Sequence, residues 1–212
     1  MTSTVDALRL RIGQLQEQLE TEFEKARAAM RYRLENNRVI WEEEVRRRHR
    51  RMRDRLGPFL IKSPPRHVLT APVIYSLIVP FALLDLFVSL YQAICFRAYS
   101  IPRVRRADYI RIDRHHLGYL NSVQKLNCVY CGYVNGLIAY VGEIAGRTEA
   151  YWCPIKHAAR VKGRHRHYDG FMDYGDGETF AEGLKIARRR IQELEAGRRS
   201  TAAQADDHVD LG

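Results

Sequence analysis

The chain has 212 residues, with 35 Lys and Arg against 25 Asp and Glu and a formal net charge of +10. That excess points to an anionic partner, phospholipid or nucleic acid. Four cysteines are too few for a disulfide scaffold and, grouped with a histidine, favour metal in a reduced compartment. The start, MTSTVDALRL, has no basic-then-apolar pattern, so cleavage and export are not expected.

Residues from about Ser3 to Arg55 read as one long helix. Ser3 and Asp6 make the acidic form of a capping box. Apolar residues then recur at Leu8, Ile12, Leu15, Leu19, Phe23, Ala26, Met30, Leu34, Trp41 and Val45, with Asn37 the single polar member of the stripe. Steps of 4, 3 and 4 make an eleven-residue period, which keeps the stripe straight or slightly right-handed. A narrow stripe on a helix otherwise full of Glu and Arg needs a partner helix, so residues 5–45 are expected to self-associate as a coiled coil, with Asn37 setting register. The alternative is a helix packed on a later part of the same chain.

That helix closes on Arg46, Arg47, Arg48, Arg50, Arg51, Arg53 and Arg55. The run shortly precedes an apolar segment, where a polybasic stretch meets anionic headgroups at about 1 kcal/mol per charge. Lipid is therefore the expected ligand of these arginines, and nucleic acid is not.

Val68 to Phe96 contains one ionisable acid or base, Asp85, apart from its tyrosines and Cys95, and exceeds the roughly 20 residues that span a bilayer. Pro80 should kink the segment near its middle. Asp85 should face a partner helix or a polar pocket, or be protonated. Basic residues flank the segment on both sides, with Arg97, Arg103, Arg105 and Arg106 after it, although positive flanks prefer the cytoplasm. One crossing is the simplest arrangement. A re-entrant hairpin at Pro80 comes next, and a second crossing by Leu126 to Ala145 ranks last because it carries Asn127, Asn135 and Glu143.

Further on, Cys128-x2-Cys131, a gap of twenty-one residues, then Cys153-x3-His157 has the spacing of a tetrahedral site. Three thiolates and an imidazole suit Zn²⁺, with thiolate-bound iron as the alternative. Two other readings stay open for these residues: a Cys128/Cys131 redox dithiol, and inert buried cysteines. Asp113, His115 and His116 could serve a membrane enzyme, but adjacent side chains tend to point apart and the default is surface histidines. Thr179 and Glu182 give another capping box, opening a helix with Phe180, Leu184, Ala187, Ile191 and Leu194 on one face.

The stretch Cys128-Val129-Tyr130-Cys131-Gly132-Tyr133 resembles one half of a rubredoxin or zinc-ribbon site. The second half, Cys153-Pro154, departs from that pattern by offering His157 where Cys-x2-Cys is expected. The text PVIYSLIVPFALLDLFVSLYQAICF, DRHHLGYLN, KLNCVYCGY and RTEAYWCPIKHA, spanning Pro72 to Ala159, resembles an uncharacterised group of bacterial membrane proteins. That resemblance implies a bacterial inner (cytoplasmic) membrane location and carries no activity.

The expected architecture is mainly α. It has a coiled-coil helix over 1–57 on the cytoplasmic side, a membrane segment over 68–96, a Cys/His module over 97–178, an amphipathic helix over 179–197 and a disordered tail over 198–212. The expected function is membrane-anchored assembly or interaction with a structural zinc. The runner-up is electron transfer through iron or a dithiol.

Overall fold

The computed structural model describes residues 2–29, 32–35 and 38–194. The chain is mainly helical, and its ordered contacts fall into two units that are not consecutive in sequence. One comprises Met1–Pro64 and Ile112–Val129, the other Pro65–Arg111 and Tyr130–Gly212.

In the first unit, α1 (Thr2–Ala29) is followed by strands β1 (Tyr32–Glu35) and β2 (Arg38–Trp41) and by α2 (Glu43–Arg51). The strands pair antiparallel, Tyr32 with Trp41 and Glu35 with Arg38. The single helix expected to Arg55 is thus broken after Ala29. The residues responsible are Tyr32, Val39, Ile40 and Trp41, aromatic and β-branched types that favour a paired strand. The stripe period ran on through them because its helical spacing was satisfied by chance. Asn37, expected to set register, and Met30 lie outside the described residues, as does the tail over 198–212.

α2 buries Val45 and half-buries His49, whose ring sits edge-on to Trp41 at 4.8 Å and to Tyr119 at 5.1 Å. Its solvent face carries the arginines. A short helix, α3 (Leu56–Lys62), follows.

The second unit begins with α4 (Pro65–Ser76) and α5 (Ile78–Tyr91), which with a π-turn at Gln92–Phe96 make one apolar helical run of 32 residues. The expected mid-helix kink at Pro80 becomes a break at Leu77. Pro80 then lies in the first turn of α5, where no intrahelical donor is lost. A hairpin folded at Pro80 does not form. The run ends with Ser100 in the left-handed region (φ 55°) and Ile101 N–H donating to Phe96 O at 2.8 Å, a Schellman-type stop.

α6 (Ser122–Trp152) is an unbroken helix of 31 residues. Asn121 and Gln124 cap it reciprocally: Gln124 N–H donates to Asn121 Oδ1 at 3.0 Å, and Asn121 N–H to Gln124 Oε1 at 2.9 Å. In the second unit α5 and α6 run in the same direction. Ile74 O accepts from the Tyr130 hydroxyl at 2.9 Å, and Tyr91 meets Thr148 at 3.0 Å. Residues 97–111 must then return against both helices. Val104 N–H donates to Gln92 Oε1 at 3.0 Å, Arg106 reaches back to Asp85, and the backbone of Tyr109 and Ile110 crosses α6 at Gly136. A Cβ on Gly136 would sit 2.7 Å from Tyr109 O, so only glycine lets the strap lie this close.

Phe96, Ile101, Val104, Leu137, Tyr140, Ile144, Tyr168, Phe171 and Ile191 form the core of this unit. After α6, Pro154 O and Met172 O accept from Met172 N–H and Lys156 N–H, both at 2.8 Å. α7 (Phe180–Gln192) then packs through Ile191, and Arg188 stacks on Tyr151 at 4.8 Å. The Thr179–Glu182 capping box is not made. Asp176 accepts instead from Thr179 N–H at 3.2 Å and from its hydroxyl at 2.6 Å, because the turn before α7 brings this nearer carboxylate to the helix start.

Candidate functional site

The four expected metal ligands do not converge. Cys128 and Cys131 lie one turn apart on α6, Cys153 follows its last residue, and all the cysteines are free. Because α6 runs unbroken to Trp152, Cys131 and Cys153 are about 33 Å apart along the axis, at 1.5 Å per residue. His157 lies beside Tyr168: its backbone N–H donates to the Tyr168 hydroxyl at 2.7 Å and its ring stacks on that phenol. Among the described residues no three His, Cys, Asp or Glu side chains are grouped to hold a metal ion. The resemblance to a rubredoxin knuckle fails for the same reason. Cys-x2-Cys is also an i, i+3 spacing, and here the helix claims it.

His115 and His116 do not point apart. They sit in a tight turn at Arg114–His116 with ring centroids 3.9 Å from each other. Burial pushes His115 below the usual imidazole range, helped by His116 and Lys125, and its Nδ1 is buried without a partner among the described residues. Asp113 contributes a backbone carbonyl, accepting from His116 N–H at 2.9 Å.

The arginine run divides between α2 and the segment after it. Arg46, Arg47, Arg48, Arg50, Arg51, Arg53 and Arg55 are all exposed. Glu43 lies 3.4 Å from Arg47 and 4.0 Å from Arg50 and also pairs with Arg46. The Arg47 hydrogen bond leads in holding its carboxyl below the ordinary range. One carboxylate thus serves three guanidiniums.

Asp85 has the partner its position demands. Arg106 Nη2 donates to Oδ2 at 2.7 Å and Nε reaches Oδ1 at 3.2 Å, while the Tyr133 hydroxyl donates to Oδ2 at 3.0 Å. The forked pair ties the returning strap to α5.

A second charged centre was not anticipated. Glu143, buried on α6, accepts from Arg147 Nε at 2.8 Å and lies 3.1 Å from His167 Nε2, with Arg166 also donating to it. Burial raises the Glu143 carboxyl, but hydrogen bonds from His167, Arg147 and Arg166 outweigh it and bring the pKa down to about 2. One turn and a half further along α6, Glu149 meets His165 Nε2 at 2.9 Å. Gly146 makes room for that ring, since a Cβ there would sit 2.8 Å from it. The sequence carried two signals for this centre: an i, i+4 Glu–Arg pair inside an apolar helix, and the alternating His165-Arg166-His167. Neither says which partner meets which.

Beside this centre lies a cavity of about 240 Å³ between the second half of α6, the turn at Tyr168–Gly170 and α7. Arg166, His167 and Arg190 supply its polar wall, and Phe171, Ala187 and Ile191 its apolar floor.

Among the described residues two helices are long and apolar enough to cross a membrane. The run Pro65–Phe96 has a mean hydropathy of 2.2 with none of its most apolar window buried, whereas Ser122–Trp152 reaches 1.2 with 33% of its window inside the fold. No protein-family model, curated protein or solved structure matches the chain.

Proposed function

We propose that this is a membrane-attached interaction protein, held by the outer face of α4–α5 lying along the cytoplasmic leaflet of a bacterial inner membrane. The carrying observation is that α5 and α6 run parallel while residues 97–111 return between them. A pair of parallel crossings would drag that non-helical strap through hydrocarbon, with Arg103, Arg105 and Arg106 aboard. A single upright crossing by α4–α5 would take the charged Glu143–Arg147 pair of its neighbour α6 with it. Lying in plane, the run sinks only its exposed residues, among them Val73, Leu83, Phe87 and Leu90, and leaves the strap in water. Arg66 and Arg97 at its two ends, with the arginines of 46–55 preceding it in sequence, then meet anionic headgroups.

Cys131 and Cys153, both exposed, test the orientation. Their spacing of about 33 Å along α6 exceeds a hydrocarbon core of about 30 Å. In sealed inside-out vesicles, single-cysteine variants retaining either one should both react with an impermeant maleimide from the cytoplasmic face. Reaction of one from each face would establish a crossing and overturn the in-plane arrangement.

Assembly is assigned to α1, where Leu8, Ile12, Leu15, Leu19 and Phe23 remain more than half exposed along one side. A wet stripe on a helix about 42 Å long favours a second copy as its cover. The full chain in detergent should sediment as a dimer or larger, and Leu19→Asp should reduce it to a monomer. A wild-type monomer at all concentrations would remove self-association. The metal ligands expected from the cysteine spacing have no part in this proposal, since the continuous α6 holds them apart.

A further inference from the structure

We propose that the cavity between α6 and α7 binds a small organic oxyanion, a carboxylate or phosphate ester borne on an aromatic or short apolar body. Charge supplies the first argument. Among the described residues Glu143 is the only carboxylate paired with this centre, yet it serves Arg147 and Arg166 together with His167, so positive charge is in excess. The nearby carboxylates are committed elsewhere, Glu149 to His165 and Asp169 to Arg164 at 3.4 Å.

Arg190 supplies the second argument. It lines the cavity and has no ion-pair partner among the described residues. Its guanidinium lies against Gly170, whose missing side chain makes the space: a Cβ there would be 2.6 Å from Nη1. Arg166, which spends one edge on Glu143, stands on the same wall, and two guanidiniums suit the planar, multidentate geometry of an oxyanion.

Shape supplies the third. A volume of about 240 Å³ is below the roughly 300–1,000 Å³ of sites for drug-sized molecules, so the occupant is small. Phe171, Ala187 and Ile191 give it an apolar bed, and the cationic wall orients its charged end.

The test uses the full chain in neutral phosphatidylcholine nanodiscs, titrated with phenyl phosphate, benzoate and uncharged phenol by ligand-observed NMR. The two anions should bind saturably in the millimolar range or tighter, with phenol at least about tenfold weaker. Arg190→Gln, an exposed change, should weaken the anions at least about fivefold and leave phenol unaffected. Ala187→Trp, which fills the cavity, should abolish binding of all three, with an unchanged near-ultraviolet spectrum as the folding control. Absence of saturable binding, phenol binding as well as the anions, or anion affinity indifferent to Arg190→Gln would each overturn the proposal. Repeating the titration with phosphatidic acid in the nanodiscs identifies the source. Competition against phenyl phosphate assigns the oxyanion to a lipid headgroup, and unchanged affinity assigns it to a soluble ligand.

Discussion

Replacing Glu143 with Ala should cost the second unit roughly 3–5 kcal/mol, the usual penalty for breaking a buried charged centre from one side. Arg147 is almost wholly buried and would lose its one carboxylate partner among the described residues, keeping the Pro102 carbonyl. Arg166 and His167 would lose the group that holds the 165–171 turn against α6. Denaturant melts of the full chain in detergent, followed by near-ultraviolet circular dichroism, would measure the loss; a change below about 1 kcal/mol would show that the centre is dispensable.

The same residue sets a pH dependence. Its folded pKa of about 2 lies below the ordinary 4.5, so its contribution is complete above pH 4.5 and disappears as pH falls towards 2. The difference is worth roughly 3 kcal/mol at most. In Glu143→Gln this acid limb of the stability curve should flatten, while the wild type loses stability between pH 5 and 2. An identical acid limb in both proteins would assign it to other carboxylates.

The largest effect on localisation should come from charging the outer face of α5. Leu83, Phe87 and Leu90 are 50%, 64% and 53% exposed, so changing all three to Glu leaves the core contacts of Phe81, Val88 and Phe96 in place. Each side chain contributes up to about 1.5–3 kcal/mol when taken from water into hydrocarbon, so the triple variant should partition on the order of a thousandfold or more less well into vesicles. Flotation would show it in the soluble fraction with unchanged circular dichroism, whereas wild type floats even in high salt because screening removes only the arginine–headgroup attraction. A triple variant that still floats would mean that α4–α5 is not the attachment. Deleting the whole segment would be a poorer test, since Phe96 and Gln92 are core residues of the second unit.

Composition alone revealed the apolar run. Val68 to Phe96 is long and nearly free of charge, and no arrangement of the other residues changes that. α7 was equally plain, because Phe180, Leu184, Ala187, Ile191 and Leu194 fall on one face at helical spacing; Ile191 and Leu194 pack on the core, while Phe180 at the start stays exposed. Periodicity misled at Tyr32–Trp41, where a stripe compatible with a helix is also compatible with two short strands, and the choice fell to cross-strand pairing.

The cysteines mark the limit most clearly. Cys-x2-Cys followed by Cys-x3-His states only which atoms could meet, and thirty-one residues of uninterrupted helix decide that they do not. The pairing within the charged centres was illegible for the opposite reason. Arg106 reaches Asp85 across 21 residues of sequence, and His167 reaches Glu143 across 24. The first depends on the strap lying across α5 and α6, the second on the chain folding back along α6 after Trp152. Local sequence sets which helices form and which faces are apolar, because both follow from neighbours within a turn. Which buried charge meets which partner is set by chain direction and close backbone approach, and only tertiary packing specifies those.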